Sequence, residues 1–513
     1  MMPDTPHILV IAAHPRGSAS FIGALASAYA QGARRAGLAV EEVDLSRLRF
    51  NPDVVEPSPR AQALEPDLEM VRAAITRADH LVFVYPTWWG TFPALLKGFL
   101  DRVLLPGWAF AESEGGTGYE GLLAGKTAEL ITTMDTPGFV YRFIYGAPGQ
   151  RAMARATLGF CGIDVSRVTR FGIAKTADAA VRARWLEAAA ALGAGLAQGA
   201  LTPAQRLWRR VKVWASALRL QFYPMTLISY GVGALAASQG QALHHGLFWL
   251  GFLVLFLLEA ATVFSNDLND YDSDRQNRFW GPFNGGSRAL VSGAITRGGL
   301  VQGAWAAGLG SVAALAGVLW LTPHAPGTVL VFLVTAVLAL AYTLPPVKLS
   351  HRGLGEVDVA VTHSIAVLLF GYVTQGGAMG DGLPWLLALP LGLSVFPAIL
   401  LSGIPDHDAD RAADKNTLVV KLGIGRSFGV AALFVGLAVV AALVLWLGYG
   451  VAALAGLALP AGVHGVFLMR ALWREAQKPA QARRIDGLMV WALSFILWFG
   501  LVPLVNLSWL ASP

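Results

Sequence analysis

The ten residues Asn266-Asp-Leu-Asn-Asp-Tyr-Asp-Ser-Asp-Arg275 hold four carboxylates. They follow directly on an apolar run, 247–264, long enough to cross a bilayer. Asp267, Asp270 and Asp274 stand at i, i+3 and i+7, which puts all three on one face of a helix. Like charges at that spacing repel, so the face needs a cation. A hard divalent ion that keeps part of its water and also takes phosphate oxygens suits the place, and Mg²⁺ is such an ion. The pattern recurs: Asp270-Tyr-Asp272-Ser-Asp274-Arg275 is echoed by Asp406-His-Asp408-Ala-Asp410-Arg411, after a second apolar run, 386–404. Two solvated acidic helix caps are the plainer alternative, but a cap needs one acid, not a matched set.

Further chemistry lies close to these clusters. Tyr342-Thr-Leu-Pro-Pro-Val-Lys348 holds a lysine on a Pro-Pro turn beside an apolar run, where it can meet a diphosphate as a point charge or serve as a membrane anchor. Gly285-Gly-Ser-Arg-Ala-Leu-Val-Ser-Gly293 follows the first cluster and Asp414-Lys-Asn-Thr-Leu418 the second. Far upstream, His14-Pro-Arg-Gly-Ser-Ala-Ser20 offers small hydroxyl residues and Gly17 ahead of a helix, an anion site suited to phosphate. Tyr85-Pro-Thr-Trp-Trp-Gly90 sets two adjacent tryptophans at the end of an apolar run, a wall for a flat heterocycle rather than ordinary core.

At 513 residues the chain exceeds one ordinary domain. It is 55% hydrophobic and 14% charged, with a mean hydropathy of +0.53, which points to a membrane protein. The single cysteine, Cys161, excludes an intramolecular disulfide framework, suits a reducing compartment, and is expected to pack in the core. The net charge of +6 fits loops facing anionic lipid; no basic–aromatic stripe on a soluble face indicates nucleic acid. Met1–His7 leads straight into a strand-like run, so no signal peptide is expected there.

The elements that must position these residues fall into two classes. Up to about residue 200, strand patterns at 7–13, 38–45, 80–85, 127–133 and 165–173 alternate with helical patterns at 21–36, 64–77, 94–103 and 147–160. Such alternation predicts an α/β doubly wound parallel sheet with ligand at the carboxyl ends of its strands. This stretch resembles the flavodoxin-like NAD(P)H:quinone oxidoreductases. The resemblance rests on His14-Pro15 with Ser20-Phe21, on Pro86 with Trp88-Trp89-Gly90, on Leu96-Lys97-Gly98 and Asp101-Arg102-Val103, and on 121–126 and 158–162. It implies FMN or FAD, reduced by NAD(P)H and reoxidised by a quinone. The implied flavin site takes His14, Ser18, Ser20, Phe21, Pro86, Thr87, Trp88, Trp89, Gly90, Thr132 and Thr133, with Tyr141 or Tyr145 beside the ring. Ile22 stands where the family often has Asn, and Thr132-Thr133-Met134-Asp135 where it has Thr-Thr-Gly-Gly. Relatives of this type are often dimeric, so a homodimer is one expected state.

Residues 201–221 join the two halves. Arg206, Arg209, Arg210, Lys212 and Arg219 interleave with Leu207, Trp208, Val211, Trp214 and Leu218, the pattern of a basic amphipathic helix lying on a membrane surface. From 222 to 513 about nine apolar spans follow: 222–238, 247–264, 300–321, 329–344, 357–373, 385–404, 429–447, 451–468 and 488–507. Lysine and arginine occur only in the joining segment and in the loops after spans two, four, six and eight; the opposite loops, such as 239–246, 322–327 and 376–383, carry none. That asymmetry places the front half and both acid clusters on the cytoplasmic side of an inner membrane.

This half resembles the UbiA-type polyprenyl transferases. The family motif N-D-x-x-D-x-x-x-D stands as Asn266, Asp267, Asp270 and Asp274, and the second motif as Asp406 and Asp410. The resemblance implies Mg²⁺ on Asp267, Asp270, Asp274, Asp406 and Asp410. It also implies catalytic roles for Tyr342 and Lys348, and diphosphate contacts from Asn266, Arg275, Arg288, Arg411 and Lys415. The run 415–423 looks most like the branch acting on 1,4-dihydroxy-2-naphthoate, although Ser402-Gly403 replace the asparagines usual there. The implied reaction moves an isoprenoid from its diphosphate to an aromatic acceptor, and the front half would reduce a quinone to the electron-rich ring the transfer needs. Alternatives are another acceptor (haem, a chlorin or a phenolic acid) and a front half acting only as a docking or redox-sensing module. Transporters seldom place paired acid clusters at the rim rather than the midplane.

Overall fold

The computed structural model describes residues 6–112, 119–238, 242–322 and 326–510. Residues 1–5, where no signal peptide is expected, and parts of the cation-free loops 239–246 and 322–327, lie outside the described residues. The chain divides into two compact units, Met1–Arg209 and Arg210–Pro513.

In the first unit, β1 (His7–Ala12), β2 (Ala39–Asp44), β3 (His80–Pro86), β6 (Thr127–Met134) and β7 (Asp164–Gly172) form one parallel sheet in the order β2-β1-β3-β6-β7. This is the flavodoxin-like order, with its switch point between β1 and β3. Every residue of β3 and β6 is buried, as a sheet covered on both faces requires. Helices α1 (Phe21–Arg35), α2 (Pro66–Arg77) and α3 (Ala94–Val103) lie where the apolar periodicity predicts them.

Three features of this unit depart from the sequence reading. A small hairpin, β4 (Phe110–Glu112) with β5 (Tyr119–Gly121), was not anticipated because its strands are three residues long. The helix expected over 147–160 starts as α4 (Pro148–Arg151) and continues as a π-helix, Ala152–Leu158. A closing helix, α5 (Ala179–Gly195), packs on α1, and only glycine permits the approach. A Cβ on Gly32 would lie 1.9 Å from the Ala190 carbonyl oxygen, and one on Gly193 2.1 Å from that of Tyr29. Its alanine-rich sequence shows little periodicity to announce it.

Helix α6 (Pro203–Ala217) spans the division between the units. Trp208 is exposed, whereas Trp214 meets the Phe264 ring edge-on with centroids 5.4 Å apart. The second unit is helical. Its long elements are α7 (Tyr223–Ala237), α8 (His245–Asn269), α10 (Arg297–Leu321), α11 (Pro326–Ala341), α14 (Gly382–Ser402), α17 (Ile424–Tyr449), α18 (Ala458–Ala476) and α19 (Asp486–Leu510), with the short α9 (Tyr271–Gln276) after α8. A further span runs through α12 (Gly355–Val361), a π-turn Thr362–Ala366, and α13 (Val367–Thr374). Two short helices, α15 (His407–Ala412) and α16 (Leu418–Leu422), follow α14. Among the described residues, six helices are long and apolar enough to cross a membrane by length and composition.

The expected span 451–468 is shifted. Gly450, at φ 65°, ends α17, and α18 begins only at Ala458, with Pro460 in its first turn, where proline is tolerated. Helices α7 and α13 meet through small residues. A Cβ on Gly233 would lie 1.9 Å from the Leu368 carbonyl oxygen, and one on Gly371 2.1 Å from that of Tyr230.

Candidate functional site

The first acid cluster is not one unbroken helical face. Helix α8 ends at Asn269, Asp270 adopts a non-helical φ/ψ of −92°, 8°, and α9 resumes at Tyr271. The turn still carries the helical sense, since Asp270 N–H donates to the Asn266 carbonyl and Asp274 N–H to that of Asp270, both at 2.8 Å. Asp267, Asp270 and Asp274 are all buried.

The second cluster comes to meet it. Ser273 Oγ donates to Asp410 Oδ1 at 2.5 Å, and Asn277 Nδ2 and Asn284 Nδ2 donate to Asp406 Oδ1 at 2.5 and 3.0 Å. Lys415 Nζ lies 2.7 Å from Asp270 Oδ2 and 3.5 Å from Asp410 Oδ1. Gly286, at φ 66°, brings the 285–287 backbone against the first cluster: a Cβ there would sit 2.1 Å from Asp274 Oδ2 and 3.2 Å from Asp267 Oδ1. Ser287 donates to Asp267 from both its backbone N–H and its hydroxyl.

Asn266, Asp270, Asp274, Asp406, Lys415 and Tyr342 line one cavity of about 290 Å³. Its remaining wall is largely apolar, with Leu255, Leu258, Val367, Val395 and Ile399 among the contributors. Burial, followed by the repulsion of Asp270 and Asp406, holds the Asp274 carboxyl well above the usual carboxylate range. Burial likewise raises Asp406, and pushes Asp410 up to about 7. For Lys415 burial works against the charge, but Asp270 and Asp410 outweigh it and the ammonium is strengthened. One buried lysine therefore faces an excess of buried acids, and Asp270 Oδ1 has no hydrogen-bond partner. Among the described residues no three such side chains converge to form a closed metal cage. The donor set fits an ion that takes one or two carboxylates and fills its other positions with water and substrate phosphate, the habit of Mg²⁺.

The expected cations separate. Lys415 is central. Arg288 donates to the Asp274 backbone carbonyl and lies 5.2 Å from the centroid of the Trp280 ring. Arg275 and Arg411 are exposed and outside the cavity wall: each follows an inward acid by one residue, about 100° around the helix. Lys348 is half-buried at φ 45° and also lies outside the wall. Arg219, assigned from sequence to the joining helix, lines the cavity instead. The reading also missed Asn277 and Asn284, which carry no motif, and gave no role to Ser287 within 285–293. It missed Glu259, Asp358 and His363, whose signal was an ionisable residue inside an apolar run.

In the first unit the loops after β3 and β6 are tied together at the carboxyl ends of their strands. Thr87 and Thr132 share a hydrogen bond between Oγ1 atoms at 2.6 Å, Thr87 N–H donates to the Thr133 carbonyl at 2.7 Å, and Tyr141 Oη donates to the Gly90 carbonyl at 2.7 Å. Pro86 closes β3. Trp88 is partly exposed and meets His14 edge-on at 5.6 Å; Trp89, at φ 51°, is fully exposed. That open aromatic wall serves no core and fits a flat ring.

The first loop is more occupied than expected. Ser20 Oγ accepts from Gly23 N–H at 3.1 Å and so caps α1, while Ser18 N–H donates to Asp44 Oδ2 at 3.1 Å and Arg47 donates to Ser18 Oγ at 3.2 Å. Phe21 packs against Trp185 at 6.1 Å, an ordinary core contact. Cys161 is buried, and burial raises its thiol to about 11, which keeps it unreactive.

Residues 226–508 match the family model described as the UbiA prenyltransferase family. The chain belongs to the UbiA prenyltransferase family. Residues 6–192 match the model described as a flavodoxin-like fold. This UbiA protein is 31% identical over 186 residues to an uncharacterized NAD(P)H oxidoreductase of Haemophilus influenzae, covering 36% of this chain and 91% of that protein. It is 27% identical over 186 residues to a ribosyldihydronicotinamide dehydrogenase [quinone] of Mus musculus, covering 31% and 78% of the two chains. A UbiA homolog from Archaeoglobus fulgidus, solved bound to GPP and Mg²⁺, aligns at 16% identity and a TM-score of 0.44, covering 56% of this chain and 99% of that one. The protein is thus a multi-pass membrane prenyltransferase of the UbiA family fused to an NAD(P)H quinone oxidoreductase-like domain.

Proposed function

We propose that residues 222–513 transfer an isoprenoid from a prenyl diphosphate to an aromatic hydroquinone, a naphthoate-like ring above all, and that residues 1–200 supply that ring in its reduced state. The observation that carries the reading is that Asp270 and Asp406, on separate motifs, line one cavity whose wall is otherwise largely apolar.

From among Asp267, Asp270, Asp274, Asp406 and Asp410, one or two carboxylates per ion would hold Mg²⁺, which supplies a Lewis acid to the diphosphate when bound. Lys415 and Arg219 hold fixed positive charge where negative charge grows on the departing diphosphate, and Asn266 orients it. Tyr342 lines the same cavity as Lys415. The apolar wall accommodates the prenyl chain and excludes water from the reactive allylic carbon.

In the front half, Trp88, Trp89, Thr87, Thr132 and Tyr141 would hold a flavin, FMN or FAD, which carries two electrons from NAD(P)H to a quinone when bound. A quinone ring is electron-poor and a weak nucleophile, while its hydroquinone is a strong one; that contrast gives the fusion its purpose. The distribution of lysine and arginine supports a cytoplasmic front half on an inner membrane, and a homodimer through that half suits its oxidoreductase kinship.

The test supplies purified full-length protein with Mg²⁺, a prenyl diphosphate, a naphthoquinone and NAD(P)H, and follows prenylated product by mass spectrometry. Product that forms equally without NAD(P)H sinks the coupling. No product even from chemically reduced naphthohydroquinone sinks the transferase assignment to this acceptor class.

A further inference from the structure

The cavity has a second polar tier, beyond the acid rim. Glu259 stands on α8 seven residues before Asn266, about 10 Å further along the helix. Thr226, from α7, donates its hydroxyl to Glu259 Oε2 at 2.7 Å, and Oε1 receives no hydrogen bond among the described residues. His363 lies on the π-turn that interrupts the α12–α13 span; its Nδ1 pairs with the Val359 carbonyl at 3.2 Å, leaving Nε2 as the unbonded ring nitrogen. Asp358 is 6% exposed, and its Oδ1 and the Thr362 hydroxyl have no partner among the described residues. All five residues line the cavity.

Unsatisfied carboxylates in an apolar chamber are costly, and ionisable groups at membrane depth mark function. A π-turn inside a helix is a further mark of a functional position. A prenyl chain offers these groups nothing, because it has no hydrogen-bond donor. A hydroxylated aromatic ring does: its O–H satisfies a carboxylate oxygen while its face lies against the apolar wall.

We infer that Glu259, with Thr226 and His363, forms the acceptor subsite, binding an aromatic hydroxyl and taking its proton, with Asp358 and Thr362 as a second polar contact for the same ring. The inference rests on the prenyl-transfer reading and assigns its acceptor end. The hydroxyl proton passes to Glu259. An electron pair of the resulting oxyanion ring forms the carbon–carbon bond to the allylic carbon as the carbon–oxygen bond to diphosphate breaks, and the diphosphate leaves with the pair of that broken bond. The proton on the alkylated ring carbon then moves to the ring oxygen and restores the aromatic hydroxyl. The balance is one proton on Glu259 and one diphosphate released.

Two measurements on the full chain in detergent test this. In steady-state kinetics, Glu259→Gln and Asp358→Asn should raise KM for 1,4-dihydroxynaphthalene about tenfold or more while moving KM for the prenyl diphosphate less than about twofold. In thermal-shift binding, the diol should protect the wild type but not Glu259→Gln, and the diol's dimethyl ether should protect neither. An unchanged acceptor KM, equal rises in both KM values, or equal protection of wild type and Glu259→Gln would overturn the subsite. If the wild type is protected by the diol yet transfers nothing, the subsite stands and the transferase reading falls. If the wild type is not protected by the diol, the subsite falls by itself.

Discussion

Lys415 Nζ lies 2.7 Å from Asp270 Oδ2, joining two motifs 145 residues apart in the chain. The same ammonium is 3.5 Å from Asp410. This buried cation holds the two acid clusters at one cavity mouth, and no local feature of either motif could do so alone.

Lys415→Met should therefore cost both structure and function. Breaking a buried pair and leaving its acids unpaired destabilises by about 3–5 kcal/mol. The expected result is a lower melting temperature in detergent, and a KM for prenyl diphosphate raised more than tenfold. Added Mg²⁺ should recover part of the stability, because it replaces positive charge at the same carboxylates.

Glycine 286 tests the geometry of the mouth without touching charge. Gly286→Ala forces a Cβ to within 2.1 Å of the Asp274 carboxylate at a positive φ, so transfer should fall at least tenfold. Gly293→Ala is the control: its φ is also positive, at 70°, but nothing lies within 4 Å. It should cost only the backbone strain, about 1 kcal/mol, with the KM for the diphosphate little changed.

Arginine positions separate the cavity wall from the outer surface. Arg219→Ala should raise KM for the diphosphate several-fold, since Arg219 lines the cavity. Arg275→Ala and Arg411→Ala should raise it less, because both side chains are exposed beyond the wall. Equal effects in all three variants would contradict the arrangement.

Trp88→Ala should lower the flavin retained per purified chain, and Tyr141→Phe should do so less, removing one bond to the Gly90 carbonyl worth about 1 kcal/mol. With chemically reduced naphthohydroquinone supplied, both variants should transfer at the parental rate. The readout is flavin absorbance against protein, set beside the rate of prenylation.

Acid should destabilise the first unit through His80. Burial lowers this imidazole to about 4, against 6.5 as its ordinary value. Between those values the unfolded chain binds the extra proton, so stability falls as the pH drops from about 6.5 toward 4, by up to about 3 kcal/mol. Thermal melts of wild type and His80→Gln across that window check it; the variant should show the shallower slope.

Much of this protein was legible in its residues. The sheet strands, the helical spans and both acid motifs follow from local periodicity and spacing, because a strand or a membrane helix must satisfy its backbone and hide its apolar face wherever it sits. The Trp88-Trp89 pair was legible for another reason: two large adjacent rings just beyond a strand's end are poorly explained by core packing. The strand pair β4–β5 and helix α5 were not, since short strands and an alanine-rich helix leave almost no periodic signal.

Sequence alone decided which side chains could carry the chemistry: the acids, the lysines and the exposed aromatic pair. Tertiary structure decided which of them meet. It put Lys415 between the clusters, drew Arg219 into the cavity and left Arg275 outside it. It also brought Glu259 of α8 to one chamber with Asp358 and His363 of the α12–α13 span. The reason is physical: a helix's own sequence sets which residues share its face. What that face looks at depends on how neighbouring helices pack, through contacts such as Gly233 on Leu368 that are spread across the whole chain.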